Sequence, residues 1–203
     1  PYISPERARF SEFENPGGLV NTDWTTANIY NPKTPEQVQG EIDAYDGGIY
    51  YTDQQIQNLL DELQKRGILE NTIVMITSDH GELFGEHGLW EHHNSLYKPV
   101  IYVPMIIWHP SSVPQNVRID TPISNAAVPA TILDLLGEPG QDLFPGPSLA
   151  ELWRDPASAV LFPDPIAEMA ESTWVNPNHL SIKGDMTSVI SEDWQYIEHE
   201  FNG

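Results

Sequence analysis

Between Ser78 and His93 the chain reads Ser-Asp-His-Gly-Glu-Leu-Phe-Gly-Glu-His-Gly-Leu-Trp-Glu-His-His. Four of its seven histidines fall in this stretch, together with four carboxylates, so any titratable chemistry concentrates here. The adjacent Asp79 and His80 offer a hard oxygen and an imidazole nitrogen. That pair suits a divalent ion such as calcium, manganese or zinc. Two ligands do not complete a site, so further ligands must come from elsewhere. A neutral imidazole can also donate a proton to a leaving oxygen or hold an anionic one. Taken singly, an Asp-His pair is more often a turn with a capping Asp, and His87, His92 and His93 read as loop histidines. Only the cluster carries the chemical reading. With no cysteine in the chain, a disulfide framework, a zinc-thiolate site and a Cys nucleophile are excluded.

The elements around the cluster say where it sits. Thr72-Ile73-Val74-Met75-Ile76-Thr77 is a continuous apolar, β-branched run, the pattern of a strand buried on both faces of a parallel sheet. Asp79 and His80 follow directly. In open α/β sheets, ligand sites lie at the carboxyl ends of strands. Upstream, Thr34-Pro35-Glu36-Gln37 has a cap, a proline at the first helical position and Gln at the third. Apolar residues then recur from Val38 through Leu63 at helical spacing, and Gly67 predicts the stop. Gly47-Gly48 inside this helix costs about 1 kcal/mol per Gly relative to Ala, to be explained by a kink or by close backbone packing.

Downstream, Val103–Trp108 predicts a second buried strand. Ser124 predicts the cap of a helix through Val128, Ile132 and Leu136 that stops at Gly137. Residues 138–178 are rich in Pro and Gly, with a short helix near Leu149–Trp153. The tail reads as a hairpin of His179–Lys183 and Met186–Ile190 around Gly184-Asp185, with Trp194–His199 as a further strand. Residues 1–33 read as a long surface excursion, and loops of that length are often functional. The expected fold is an α/β sandwich with a mainly parallel central sheet and a small C-terminal antiparallel sheet.

Charge narrows the partners. Nine Lys and Arg against 30 Asp and Glu give a formal net charge of -21. No basic footprint for nucleic-acid phosphates exists. The acids are spread along the chain, as on a solvated surface, and would suit a salt-rich habitat as well as an ordinary acidic proteome. No window approaches the roughly 18 apolar residues of a spanning helix, and no basic n-region opens the chain.

Several signposts in order resemble the C-terminal half of a sulfatase, in the alkaline phosphatase superfamily. They are Ser78-Asp79-His80-Gly81-Glu82, Gly85-Glu86-His87-Gly88, His92, Ser95-Leu96-Tyr97 and Val103–Ile107. Pro122–Asn125, Pro129–Asp134, Phe144–Leu149 and the tail around Met186–Ile190 and Trp194–Ile197 follow. The resemblance implies an alkaline phosphatase-like α/β/α sandwich, present in part. It divides the chain into residues 1–160 of the catalytic domain and 161–203 of a C-terminal antiparallel subdomain. It implies a divalent cation, usually calcium, with Asp79 and His80 among its ligands. His92 matches a Lys or His that contacts the sulfate or the leaving oxygen, with His93 a weaker substitute. His87 falls in a signpost of structural role. The nucleophile is expected to be a formylglycine made in a Cys/Ser-x-Pro/Ala-x-Arg motif. That motif is absent here, as are two further Asp ligands, so both are expected in an N-terminal half outside this sequence. Lys98-Pro99 stands where the family often has acidic residues.

Three functions compete. The first is sulfate-ester hydrolysis on sulfated glycans or small sulfates, in a periplasmic or extracellular setting by family analogy. The second is metal-dependent phosphodiester, phosphonate-ester or phosphate-monoester hydrolysis in the same superfamily, because in-line transfer at sulfur and at phosphorus needs similar clamps. The third is a non-catalytic acidic binding module whose histidines are incidental. Trp24, Trp90 and Trp153 are candidates to stack on a sugar, with packing the commoner role for each.

Overall fold

The computed structural model describes residues 33–92, 95–171, 180–191 and 193–200. The expectations for residues 1–32, Trp24 included, and for His93 lie outside them. Helix α1 spans Pro35–Lys65. The Thr34 hydroxyl accepts from the Gln37 amide and the Gln37 side chain accepts from the Thr34 amide, so two orphan donors of the first turn are satisfied. At the other end the Gly67 amide donates to Gln64 and the Ile68 amide to Leu63, with Gly67 at φ 69°. Glycine takes that left-handed conformation without a Cβ penalty. Gly48 is exposed and a Cβ there would meet nothing within 4 Å, so close packing does not account for it among the described residues. No residue of α1 is buried, and Tyr45 and Ile49 on its apolar positions are exposed. Tyr45 meets Phe84 edge to face at 5.2 Å.

Strand β1 (Val74–Thr77) follows a single 3-10 turn. Strands β2 (Leu83–Phe84) and β3 (Trp90–Glu91) form a small hairpin, with Leu83 opposite Glu91. The short helix α2 (Lys98–Ile101) leads into β4 (Met105–Trp108), which pairs antiparallel with β1. An apolar run specifies burial but not strand direction, and every strand pairing among the described residues is antiparallel. The expected double-faced burial of β1 is also only partial: Val74, Met75 and Ile76 are half-buried and Thr77 is exposed. Ser124 caps a 3-10 turn, Asn125–Ala127, by accepting from the Ala126 amide, and that turn leads into α3 (Val128–Leu136), which has no side-chain cap of its own. Helix α4 (Glu151–Arg154) is the short helix expected in the Pro/Gly-rich region.

The tail differs from the expected hairpin. Strand β5 (Ile166–Met169) pairs with β6 (Met186–Ser191), which pairs with β7 (Trp194–His199). Leu180–Ile182 is a 3-10 turn, not a strand. The true partner, Ile166-Ala167-Glu168-Met169, has the alternating burial of a strand but is only four residues long and preceded by Pro163 and Pro165. Among the described residues there are two cores. Leu83, Leu89 and Val100 form one beneath the β2–β3 hairpin. Ala127, Leu149 and Leu152 form the other, with Met105, Ile107 and Trp153 packed against it.

Candidate active site

Strand β1 ends at Thr77, and the next residues turn out of the sheet to form the rim of a cleft. Two fixings hold that turn. The Asn125 side-chain amide, at the start of the segment leading into α3, donates to the Ser78 carbonyl at 3.1 Å. The Gly81 amide donates to the Val100 carbonyl at 2.6 Å. Gly81 lies so close to α2 that a Cβ would come within 2.0 Å of the Pro99 carbonyl oxygen. Only glycine lets the two backbones approach this far.

On this platform Asp79 and His80 point to the same region, with His80 Nε2 3.7 Å from Asp79 Oδ2. The Asp79 side chain is 85% exposed and that of His80 42%. The His80 amide donates to Asp79 Oδ1 at 3.0 Å. That hydrogen bond, with a smaller contribution from Asp79's own backbone, holds the Asp79 carboxyl below its ordinary range. Asp79 is therefore an ionised oxygen donor. His80 Nδ1 lies 2.9 Å from the Gly81 carbonyl. A carbonyl only accepts, so Nδ1 carries the hydrogen and the Nε2 lone pair is offered beside Asp79. A backbone carbonyl orienting the far nitrogen in this way is the usual support of a metal-ligating histidine.

The donor chemistry fits a divalent cation. Two atoms 3.7 Å apart can both reach one ion at ordinary bond lengths of about 2.0–2.6 Å. Among the described residues no third His, Asp or Glu completes a cluster that could enclose a metal.

His92 joins this pair. Its ring stacks on that of His80, with centroids 3.9 Å apart and planes at 21°. Its Nδ1 lies 3.1 Å from Glu82 Oε2. Asp79, His80, His92, Ser95, Lys98 and Asn125 line parts of one cleft of about 940 Å³. His87 is elsewhere: it stacks on Tyr97 at 3.7 Å, with a left-handed backbone at φ 56°. Trp153 lines the cleft yet packs against the second core, and the Trp90 ring carries the Lys33 ammonium at 3.9 Å.

Sequence reasoning brought out Asp79, His80 and His92 but not the groups that hold them. Asn125 is 47 residues from Ser78. Glu82 lay inside the motif, yet its pairing with His92 depends on the β2–β3 register. Counting back one rung from Leu83 opposite Glu91 sets Glu82 opposite His92, a signal that was available once the hairpin was drawn.

Comparison with known proteins adds the family. The sulfatase family model matches residues 10–138. The chain is 33% identical to a choline-sulfatase of Rhizobium meliloti (strain 1021) over 127 residues, covering 63% of this chain and 23% of the relative. It is 28% identical to arylsulfatase K of Danio rerio over 195 residues, covering 96% of this chain and 35% of that one. Its fold matches the phosphonate monoester hydrolase SpPMH from Silicibacter pomeroyi with a TM-score of 0.70 at 21% identity, over 87% of this chain and 36% of that one. A protein solved with its substrate D-glucosamine-2-N,6-O-disulfate matches with a TM-score of 0.66 at 26% identity, over 81% of this chain and 32% of that one. The chain spans less than a quarter of the length of the choline-sulfatase it matches.

Proposed function

We propose, starting from a chain that belongs to the sulfatase family, that the full-length protein hydrolyses sulfate esters at the cleft containing Asp79, His80 and His92. The observation that carries this reading is the convergence of Asp79 Oδ2 and His80 Nε2, 3.7 Å apart at the end of β1, beside the stacked His92. A bound divalent cation supplies charge withdrawal from the ester oxygens, and a formylglycine outside these residues supplies the nucleophile. Calcium is the ion that the family resemblance favours, while the imidazole nitrogen of His80 suits manganese or zinc as well.

The chain's own residues have two tasks. Asp79 and His80 hold the cation, one through an ionised oxygen and the other through Nε2, with Nδ1–H fixed on the Gly81 carbonyl. His92 faces the ester from the same cleft and donates a proton to the alcohol oxygen as its bond to sulfur breaks. The substrate is a sulfated small molecule or glycan. The relatives named as sulfatases support sulfate over phosphonate, because the likeness to phosphonate monoester hydrolases is one of fold at about a fifth sequence identity.

The test is metal content and turnover of the full-length protein on an aryl sulfate and on a phosphonate monoester. His80→Ala should lose bound metal and reduce kcat/KM for the aryl sulfate by about 10²–10³-fold, the scale of removing one electrostatic clamp. Unchanged metal content and unchanged turnover would sink the reading. Turnover of the phosphonate ester alone would transfer the site to phosphorus chemistry.

A further inference from the structure

His92 is held on two sides by groups of unlike kind. Its face lies on the His80 ring, which fixes the plane of the imidazole. Its Nδ1 meets Glu82 Oε2 at 3.1 Å, which fixes rotation within that plane. Both side chains are largely shielded, at 26% and 22% exposure, so water competes weakly for the contact. The pairing has a structural cause. Leu83 stands opposite Glu91 and Phe84 opposite Trp90, so Glu82 and His92 occupy the next rung of the same hairpin. Cross-strand neighbours are within side-chain reach. Leu83, 1% exposed, anchors the hairpin in the first core and keeps the rung in place.

The bond also chooses a tautomer. A carboxylate accepts and does not donate, so His92 Nδ1 carries a hydrogen whenever the contact is made. In the neutral ring the lone pair is then on Nε2. We propose that Glu82 is a positioning residue that keeps the Nδ1 hydrogen of His92 on its carboxylate and turns Nε2 toward the substrate's leaving oxygen, so that a ring carrying hydrogen on both nitrogens gives its Nε2 proton to that oxygen and is left as the Nδ1–H tautomer. The inference rests on the sulfate-ester reading for the identity of that oxygen, but the tautomer and the orientation stand on geometry alone. A carboxylate that orients a working imidazole through its far nitrogen typically contributes about 10- to 100-fold.

Two measurements on the full-length protein decide it. Long-range proton–nitrogen NMR of the His92 imidazole should show the Nδ1–H tautomer in the unmutated protein and its loss in Glu82→Ala. Glu82→Gln, whose amide oxygen still accepts from Nδ1–H, should keep it. Turnover of aryl sulfates with increasingly basic leaving phenols should fall in Glu82→Ala by about 10- to 100-fold in kcat with KM unchanged, and most for the most basic phenol. Glu82→Gln should restore most of the rate. An Nε2–H tautomer in the unmutated protein overturns the proposal. So does a loss equal across all phenols and accompanied by a lower melting temperature, which marks a merely structural role. Should Glu82→Ala not fold, Glu82→Leu, which fills the space and accepts nothing, should lose the Nδ1–H tautomer, and its retention there overturns the proposal equally. If the unmutated protein cleaves no aryl sulfate, the sulfate-ester reading fails, while the tautomer measurement still decides the part played by Glu82.

Discussion

Adding one methyl group to Gly81 tests how the metal-binding rim is held. An alanine Cβ there would sit 2.0 Å from the Pro99 carbonyl oxygen and 3.2 Å from its carbon. Relaxed carbon–oxygen contacts lie at about 3.3 Å or more, so the two backbones must separate by roughly 1 Å. The obstacle is main chain, which cannot swing aside as a long side chain can. Separation breaks the 2.6 Å bond from the Gly81 amide to the Val100 carbonyl, a loss of about 0.5–1.5 kcal/mol. Forced repacking adds about 1–3 kcal/mol. The stiffer unfolded chain offsets about 0.4–1 kcal/mol. The net destabilisation is about 2 kcal/mol. Because Asp79 and His80 ride on the same turn, a 1 Å displacement should also cost on the order of 100-fold in turnover. Gly48→Ala is the matched control, since nothing lies within 4 Å of a Cβ at that exposed helical position. It should stabilise by about 1 kcal/mol from helix propensity. Urea denaturation midpoints and kcat of the full-length variants decide the matter. Equal midpoints for Gly81→Ala and the unmutated protein, or a larger loss in Gly48→Ala, would refute the reasoning.

Asp134 takes the Ser148 hydroxyl at 2.5 Å and Arg154 Nη1 at 2.8 Å, joining α3 to the segment that enters α4. Asp134→Ala should destabilise by about 1–3 kcal/mol in denaturant titration, chiefly through the loss of the shielded serine bond, because half-exposed Arg154 regains water. Asp134→Asn should recover part of it. Gln195 on β7 donates to the Leu96 carbonyl at 2.6 Å and the Ser188 hydroxyl at 2.8 Å, tying the three-stranded sheet to the cleft wall. Gln195→Ala should cost about 1–2 kcal/mol and speed hydrogen exchange in both β6 and α2. Exchange unchanged in α2 would deny the tie.

The sequence determined the parts whose cause is local. A Thr-Pro-x-Gln cap, a long apolar period and a terminal glycine fix α1, because each acts within a few residues of itself. The same holds for β1, β4 and the Ser124 cap, and for the placing of Asp79 and His80 at a strand's end. Tertiary structure decided what depends on distant chain. Strand direction does not show in an apolar run, so the antiparallel pairing of β1 with β4 had no local signature. The partner of β6 was hidden because β5 is a four-residue strand in a proline-rich stretch. The grip of Asn125 on Ser78, the approach of Gly81 to Pro99 and the rung that joins Glu82 to His92 follow from loop closure and packing. A motif states which atoms are available for chemistry, and only the fold fixes the distances at which they meet.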